Sequence, residues 1–482
     1  MIVEAVFVTY LILMVLIGLY EYKKTRALID FYLAGKRLGA LIVSFSFFAT
    51  YFSTAAFLGG GGFGFVCGFQ WSAFLALFHI LFAILAWMII APKLKEKADI
   101  FGVLTIPEVF KARFGRLAQV IAAITILIFF EFYMISIYKG SGNLLEVMLN
   151  IDYKTGLLIT AAIVMFYTAV GGFRAVVMTD LIQGLLVFLG GVTLFFTLIY
   201  TLGGFNAITE LYNVKIFAGL SGKDLFEIGK VAPPPIMKAG MVIPFILSLT
   251  FAISIAQLAS PQLVIRFIAA RDERVISYGM LLTPMLIGIF ALCVFSIGPF
   301  GWLVIPKYTD PKPFLKNPDL VVPFIAMKVF PIGINALLLT AIIAAAMSTI
   351  NSLLHVVSTS FVRDIVQNIT NINEKIALRI TRISVFVFAV IPLVLAFNPP
   401  GVIVKIVGLS FSVITSVFLI PLLAALYSEN ASKHQVVASM IAAIIACGVW
   451  YFAFYKTYWI YPVIPGLIAS ALAYLIFKPL RS

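Results

Sequence analysis

The sequence predicts an all-helical protein that crosses a membrane many times, and three observations support this class. Of the 482 residues, 62% are hydrophobic and only 11% are charged, and the mean hydropathy is +1.11. Apolar runs of roughly 20 residues, the length that a helix needs to cross a bilayer, recur from one end of the chain to the other. The charged residues gather in the short links between these runs. We therefore expect an all-α polytopic membrane protein.

Thirteen apolar runs, bounded by polar residues, glycine and proline, predict about 13 transmembrane helices. In chain order the predicted spans cover residues 2–21, 40–66, 70–92, 118–148, 155–171, 179–202, 240–262, 278–304, 333–360, 377–397, 401–427, 434–455 and 458–478. Two longer links, 203–239 and 305–332, are expected to form structured loops on the outer face.

The basic residues predict how the chain is oriented. A net charge of +14 would favour a nucleic-acid partner in a soluble protein, but here the positive-inside rule explains it. With the N-terminus outside, the inner links hold Lys23, Lys24, Arg26, Lys36, Arg37, Lys93, Lys95, Lys97, Lys111, Arg113, Arg116, Arg266, Arg271, Arg274, Arg363, Lys375 and Arg379. The outer links then contain no arginine, and the odd number of spans puts the C-terminus, with Lys478 and Arg481, in the cytoplasm. We expect a multi-pass protein of the cell membrane whose surroundings are the lipid bilayer, with no nucleic-acid partner.

Cysteine and histidine usage argues against an enzyme or a transition-metal protein. The three cysteines, Cys67, Cys293 and Cys447, lie in or beside apolar spans, and an odd number disfavours a disulfide framework. His79 and His355 are isolated on apolar spans, and we interpret them as core histidines. The sequence contains no His-Asp-Ser constellation and no Gly-x-x-x-x-Gly-Lys-Ser/Thr segment, so it predicts neither an intramembrane enzyme nor a nucleotide-driven pump.

The most informative segment is Ala345-Ala346-Met347-Ser348-Thr349, within a strongly apolar span. On a helix, the carbonyl of Ala345 lies beneath the hydroxyls of Ser348 and Thr349, three and four residues further on. Three oxygens without formal charge then converge on one point, which suits a weakly held Na⁺. The alternative is that both hydroxyls bond only to the preceding turn while the alanines admit a neighbouring helix.

Two of the predicted spans are interrupted. The second contains the polar segment Ala49–Thr54 followed by Gly59–Gly62 and Gly64, and the seventh contains Ser254, Gln257, Ser260, Pro261 and Gln262. Two interrupted spans that lie five spans apart are typical of inverted-repeat transporters, which bind their solute at the bilayer midplane. The layout therefore predicts a five-plus-five inverted-repeat transporter core, although the two halves share no visible residue identity.

Four short motifs resemble those of the sodium/solute symporter family, which includes bacterial proline, pantothenate, sialic acid and galactose symporters. They are Asp30–Lys36, then Ala49–Tyr51 with Gly59–Gly60, then Gly171–Val176 with Thr179–Gln183, and Ala346–Thr349 with Arg363–Asp364. The resemblance implies Na⁺-driven uptake and an inverted-repeat core made of spans two to eleven. We accordingly expect one transmembrane domain over residues 1–482, with core repeats at about 40–202 and 240–427 and peripheral helices at about 2–21, 434–455 and 458–478.

The resemblance also implies positions for sodium. The main site would consist of the backbone carbonyls of Ala49, Phe52 and Ala345 and the hydroxyls of Ser348 and Thr349. Some members bind a second Na⁺, which here would involve Asp180, Asn351 and Ser352. Asn351 stands where those members have serine, and the alternative for Asp180 is a helix N-cap.

The solute contacts implied by the resemblance lie at the interruptions of spans two and seven. They map to Ser53, Thr54, Ala55, Ala56, Ser260 and Gln262, of which Ser53 is the best single candidate. Alanine at 55 and 56 departs from both the sugar and the proline transporters, whereas the run Phe173–Val177 is most similar to the pantothenate-type branch. We expect a small polar solute with a carboxylate, such as a pantothenate-, monocarboxylate- or amino-acid-like molecule.

The fourth predicted span carries two unusual charges, Glu131 and Lys139. An ionisable residue within a membrane helix suggests a function, and Lys139 could neutralise a substrate carboxylate. The alternative is that Lys139 snorkels to the outer interface with Glu131 as a packing or pairing partner. Tyr133 is a further candidate for the solute path, and Arg266, at an inner end like Arg174, is interpreted as a gate or topology residue.

The sequence thus favours a secondary active transporter that moves Na⁺ and a small polar solute inward and works as a monomer, with oligomers left open. The alternatives are an H⁺-coupled symporter, a channel and a non-transporting sensor on the same fold. A channel would need a selectivity ring, and no pore-loop motif occurs. A sensor is disfavoured because no soluble signalling domain follows the last span.

Overall fold

The computed structural model describes residues 2–231 and 241–477, and within these ranges the chain is almost entirely helical with no β-strand. Only two isolated β-bridges occur there, one of them between Leu38 and Ala270. The Pro233–Pro235 run and the basic residues Lys478 and Arg481 lie outside the described residues. The all-α prediction is confirmed.

Thirteen principal helices organise the described chain. They are α1 (Ile2–Tyr22), α2 (Ala40–Tyr51), α3 (Ala55–Cys67), α4 (Phe69–Phe101), α5 (Arg116–Leu149), α6 (Tyr153–Thr201), α7 (Val242–Ala269), α8 (Glu273–Lys307), α9 (Ile332–Ile369), α10 (Glu374–Ala396), α11 (Ile403–Tyr427), α12 (Lys433–Tyr458) and α13 (Val463–Ile476). Ten of them are long and apolar enough to cross a bilayer, and α2 with α3 forms one further span bent by 48°. Shorter helices, among them Ile106–Phe114 and Val321–Val329, lie in the links.

Helix α6 contains two spans rather than one. Its 49 residues would extend for about 74 Å if straight, more than twice the hydrocarbon thickness of a bilayer. The helix is interrupted at Gly172, whose φ of 60° and ψ of −153° are not helical. A side chain there would meet the ring of Phe31, so glycine is needed for space as well as conformation. The two limbs of α6 count as two spans, and α2 with α3 counts as one. Together with α13, the described chain therefore has thirteen spans.

Several predicted boundaries were wrong, and the reason is the same in each case. The second limb of α6 begins directly after Gly172 rather than at 179, and α4 continues to Phe101 rather than 92. Helices α7 and α9 likewise run on to Ala269 and Ile369. Hydropathy marks where a helix leaves the apolar layer, whereas the helix itself continues into polar surroundings until its backbone hydrogen bonds end.

Both predicted interruptions are present. The second span breaks at residues 52–54, and Phe52 has an extended backbone with φ −93° and ψ 93°. In α7 the α-helix ends at Ile255, tightens to a 3₁₀ turn over Ala256–Leu258 and resumes at Pro261. Backbone carbonyls and amides near each break lose their helical partners, so both places can offer polar groups inside the bundle.

Helix α9 lies at the centre of the bundle, and almost every residue from Leu338 to Ser360 is buried. It packs against α6, α5 and α1, while α2 packs against α6, α8 and α9. Helix α1 exposes much of its apolar surface, and α12 and α13 pack against each other and against α11. The break in the second span and the Ser348-Thr349 segment therefore face each other in the buried interior.

Candidate functional site

The main candidate cation site joins the end of α2 to the middle of α9. The hydroxyl of Ser348 lies 2.8 Å from the carbonyl oxygen of Ala49 and 3.1 Å from that of Ala345. The hydroxyl of Thr349 lies 3.0 Å from the carbonyl oxygen of Thr50 and 3.1 Å from that of Ala345. These residues are almost completely inaccessible to solvent. Neutral oxygens from two helices thus converge on a dry point.

The end of α2 explains why these carbonyls are available. Because the helix stops at Tyr51, the last turn has carbonyls without an amide four residues further on. The hydroxyls of α9 satisfy two of them, at Ala49 and Thr50. Phe52 follows directly at the break, with its ring buried against Phe290. The alternative interpretation held that both hydroxyls bond only to their own helix. In the structure they also bond across to α2.

The three residues predicted for a second Na⁺ also meet in the structure. The Asp180 carboxylate accepts a hydrogen bond from the Ser46 hydroxyl at 2.6 Å and one from the Asn351 amide at 3.3 Å. The Ser352 hydroxyl lies 2.9 Å from that of Thr50. Asp180 sits eight residues inside the second limb of α6, so the N-cap alternative is wrong.

Arg266 occupies the middle of this cluster. Its guanidinium, which is fully buried, lies 2.9 Å from Asp180, and it donates to Ser46 at 2.8 Å and to Ser352 at 2.6 Å. It also donates to the Thr50 hydroxyl at 2.5 Å and to the carbonyl of Gln262. The interpretation of Arg266 as a gate or topology residue did not place it in this cluster, although an arginine five residues beyond Pro261 in an apolar run was an available signal. Arg174, by contrast, pairs with Glu21 at 3.1 Å and ties α6 to α1.

A small cavity lies beside the break of the second span. It is lined by Tyr51, Phe52, Ser53, Ala55, Ala56 and Gly60 from that span, and by Leu75, His79, Tyr133, Ile253, Phe295, Val404, Val407 and Phe411 from α4, α5, α7, α8 and α11. The cavity has a volume of about 30 Å³, which is room for about two water molecules. An organic solute would fit only if the lining residues moved apart.

Four of the predicted solute residues, Ser53, Ala55, Ala56 and Tyr133, line this cavity, whereas Thr54, Lys139, Ser260 and Gln262 do not. Ser53 and Tyr133 face it, with the Tyr133 hydroxyl 3.4 Å from that of Ser53. Thr54 instead points its hydroxyl towards the Ile137 carbonyl, 3.5 Å away on α5. The hydroxyl of Ser260 bonds to the side chain of Gln262 at 2.6 Å, away from the cavity. The sequence shows which residues lie next to a break. The direction in which each side chain points depends on how the two half-helices pack, and the sequence does not show this.

His79 lies on the cavity wall rather than in an inert part of the core. Its Nδ1 atom is 2.7 Å from the Ser254 hydroxyl, and its ring packs against those of Tyr51, Phe52 and Phe295. Interpreting it only as a core histidine missed this position. The signal was present, since an ionisable residue in the middle of a membrane span is a functional candidate by default.

Lys139, predicted as a countercharge for a substrate carboxylate, is paired with a carboxylate of the protein in this structure. Its ammonium lies 2.9 Å from the Asp319 carboxylate and 2.9 Å from the Gly401 carbonyl, and the Ile403 amide donates to the same carboxylate at 3.2 Å. Lys139 is buried, so it does not snorkel to the surface either. Glu131 is not its partner, and both oxygens of that buried carboxyl lack a hydrogen-bond partner within the described residues.

Comparison with known proteins gives similarities along almost the whole chain. The sequence model of the sodium:solute symporter family matches residues 31–443. The osmoregulated proline transporter OpuE of Bacillus subtilis is 30% identical over 477 residues, covering 96% of this chain and 92% of the relative. The sodium/pantothenate symporter of Escherichia coli is 28% identical over 483 residues, covering 97% and 94%. A solved Na⁺-coupled sialic acid symporter superposes with a TM-score of 0.81 at 21% identity, covering 100% of this chain and 99% of the other.

Proposed function

This chain belongs to the sodium:solute symporter family and is a Na⁺-coupled solute uptake transporter, in which we propose that the ion and the solute bind on the two sides of one helix break. The observation that carries this proposal is the position of residues 52–54. The oxygens of Ala49, Ser348 and Thr349 converge directly before the break, while Ser53 within it lines the small cavity. The protein is a membrane transporter and not an enzyme.

The sodium ligands in this proposal are the carbonyls of Ala49, Phe52 and Ala345 and the hydroxyls of Ser348 and Thr349. Five neutral oxygens hold Na⁺ firmly enough to bind it and weakly enough to release it, whereas a carboxylate cage would slow release. An ion held between α2 and α9 fixes the backbone of the break and thereby the position of Ser53. By linkage, a solute bound at Ser53 must raise the affinity for Na⁺ by the same factor.

The solute in this proposal is a small molecule with a carboxylate. Proline, pantothenate and sialic acid, the solutes in the names of the three relatives, all carry one. No lysine or arginine is among the cavity-lining residues of the described chain. The positive end of α3 begins at Ala55, on the cavity wall, and the Ser53 hydroxyl lies beside it at 3.1 Å from the Ala55 amide. Helix amides and a hydroxyl would then take the place of a countercharge.

Replacing Ser53 with alanine should raise the solute concentration for half-maximal uptake about tenfold, because one hydrogen bond to a charged group is lost. The measurement is uptake of labelled solute into proteoliposomes at saturating Na⁺. Thr54→Val is the matched control, since Thr54 faces α5, and its half-maximal concentration should change less than twofold. An unchanged value in the Ser53→Ala protein would remove this residue from the solute site.

A thermal-shift screen of purified protein tests the solute class. Small carboxylates should raise the melting temperature in Na⁺ and much less in K⁺, because each ligand strengthens binding of the other. Amide analogues of the best carboxylate should give little shift. A neutral sugar that stabilises the protein more than any carboxylate would contradict the carboxylate proposal but not the Na⁺ site.

We also propose that the N-terminus lies outside and that the C-terminus is cytoplasmic, so that residues 203–231 face outward and residues 369–374 inward. The three native cysteines are buried, which favours thiol labelling as a test. In intact cells, an impermeant maleimide should label Phe205→Cys, an 86% exposed position, and should label Ile369→Cys, 72% exposed, only after permeabilisation. The opposite pattern would reverse the topology.

A further inference from the structure

We propose that Arg266 is a built-in cation that fills the second cation position, so that the wild-type protein binds one Na⁺ per cycle. This inference rests on the proposed function, because it assumes that the main site holds Na⁺. It concerns the cluster formed by Ser46, Thr50, Asp180 and Ser352 around the guanidinium.

The donor set of this cluster is that of a site for a hard monovalent cation. One carboxylate and three hydroxyls from α2, α6 and α9 surround a point inside the bundle, and the side-chain oxygen of Asn351 lies 3.0 Å from the Ser352 hydroxyl. Oxygens of this kind bind alkali and alkaline-earth ions. Here the point is taken by the guanidinium of Arg266, which enters from α7.

Every nitrogen of the guanidinium has an oxygen acceptor in this position. Nε and Nη1 have one acceptor each, and Nη2 has three acceptors around its two hydrogens. The acceptors are the hydroxyls of Ser46, Thr50 and Ser352, the carboxylate of Asp180 and the carbonyl of Gln262. A fully buried cation with this many hydrogen-bond partners is a fixed part of the site.

Charge balance then limits the number of ions. Asp180 and Arg266 are both completely buried and form a neutral pair. Adding Na⁺ to the same oxygens would put two positive charges beside one carboxylate at a point closed to bulk solvent, which is unfavourable. Removing the guanidinium would leave one carboxylate and several hydroxyls with no cation, and Na⁺ is the ion available to fill them.

The cluster adjoins the main site directly. The hydroxyl of Thr50 accepts from Arg266, while the carbonyl of the same residue accepts from Thr349 at 3.0 Å. The Ser352 hydroxyl donates to the Ser348 carbonyl at 2.9 Å. Arg266 therefore braces the two helices that hold the main ion and gives the fixed positive charge that a second Na⁺ would otherwise supply.

The test is to count bound Na⁺ with ²²Na⁺ on purified wild-type and variant protein. The wild type should bind one ion with a Hill coefficient of about 1. Arg266→Gln should bind two, with a Hill coefficient approaching 2, because Asp180 is then free to hold an ion. Arg266→Gln/Asp180→Asn removes both charges and should return to one ion, and Arg266→Lys, which keeps a cation, should also bind one.

Two ions bound by the wild type would overturn the inference, as would a folded Arg266→Gln protein that still binds one. If Arg266→Gln unfolds during purification, the number of Na⁺ ions bound by the wild type still tests the inference, because two bound ions would contradict it. A wild-type protein that binds no Na⁺ and shows Na⁺-independent uptake would instead refute the main site itself. The failure of this inference and the failure of the proposed function therefore give different results.

Discussion

Replacing Ser348 or Thr349 with alanine should raise the Na⁺ concentration for half-maximal uptake at least about tenfold, corresponding to about 1.4 kcal/mol of lost binding free energy. Each substitution removes one of about five proposed ligands while leaving a residue that packs well in a helix. The double variant should show no saturation by Na⁺ within the accessible range. Initial uptake rates in proteoliposomes, at fixed solute and ionic strength, give these values.

Thr340→Ala is the control for this pair. Thr340 is also buried on α9, and its hydroxyl bonds to the Ala336 carbonyl of its own helix at 2.8 Å. Its loss should leave the Na⁺ dependence unchanged. If Ser348→Ala and Thr349→Ala behave like this control, the main sodium assignment is refuted. Uptake that follows an imposed pH gradient equally well without Na⁺ would favour the H⁺-coupled alternative.

Breaking the Lys139–Asp319 pair should have the largest effect on stability. Lys139→Met leaves the fully buried Asp319 carboxylate without its cation, and Asp319→Asn leaves the buried ammonium without its anion. Uncompensated buried charges of this kind cost about 3–5 kcal/mol. The double variant Lys139→Met/Asp319→Asn should recover most of this loss, because it buries no net charge. Melting temperatures of the purified proteins measure all three.

The same variants decide what Lys139 does. The pair joins α5, the segment before Val321–Val329 and the start of α11 beside the cavity, and we infer that it holds these elements closed over the solute. The stable double variant should then bind solute with an affinity within about threefold of wild type. A loss of a hundredfold or more, about 2.7 kcal/mol, would restore Lys139 as the countercharge of the carboxylate.

An exposed ion pair provides the comparison for these stability changes. Lys223 lies 3.7 Å from Glu227 in the link after α6, and both side chains are substantially exposed. Lys223→Met should change the free energy of unfolding by about 0.5 kcal/mol or less, because water screens the pair. A destabilisation by Lys139→Met no greater than this would mean that the buried pair does not hold these three elements together.

The sequence alone determined the features that depend on neighbouring residues. Hydropathy over about 20 residues located every span, and clusters of small and polar residues located both breaks. The three- and four-residue spacing of Ala345, Ser348 and Thr349 placed their oxygens together, because one turn of a helix is enough to do so. These features are local, so the chain around them did not have to be known.

Tertiary structure decided everything that depends on which spans pack together. Arg266 meets Asp180 across 86 residues of sequence, and Lys139 meets Asp319 across 180, and neither pairing has a local signal. The position of His79 on the cavity wall depends on how α4 faces the break. Inside a bundle without water, a charge must find its partner wherever packing brings one within reach. Hydropathy and spacing fix the spans and breaks, but only the assembled helices fix which buried charges are paired and which groups remain for the ion and the solute.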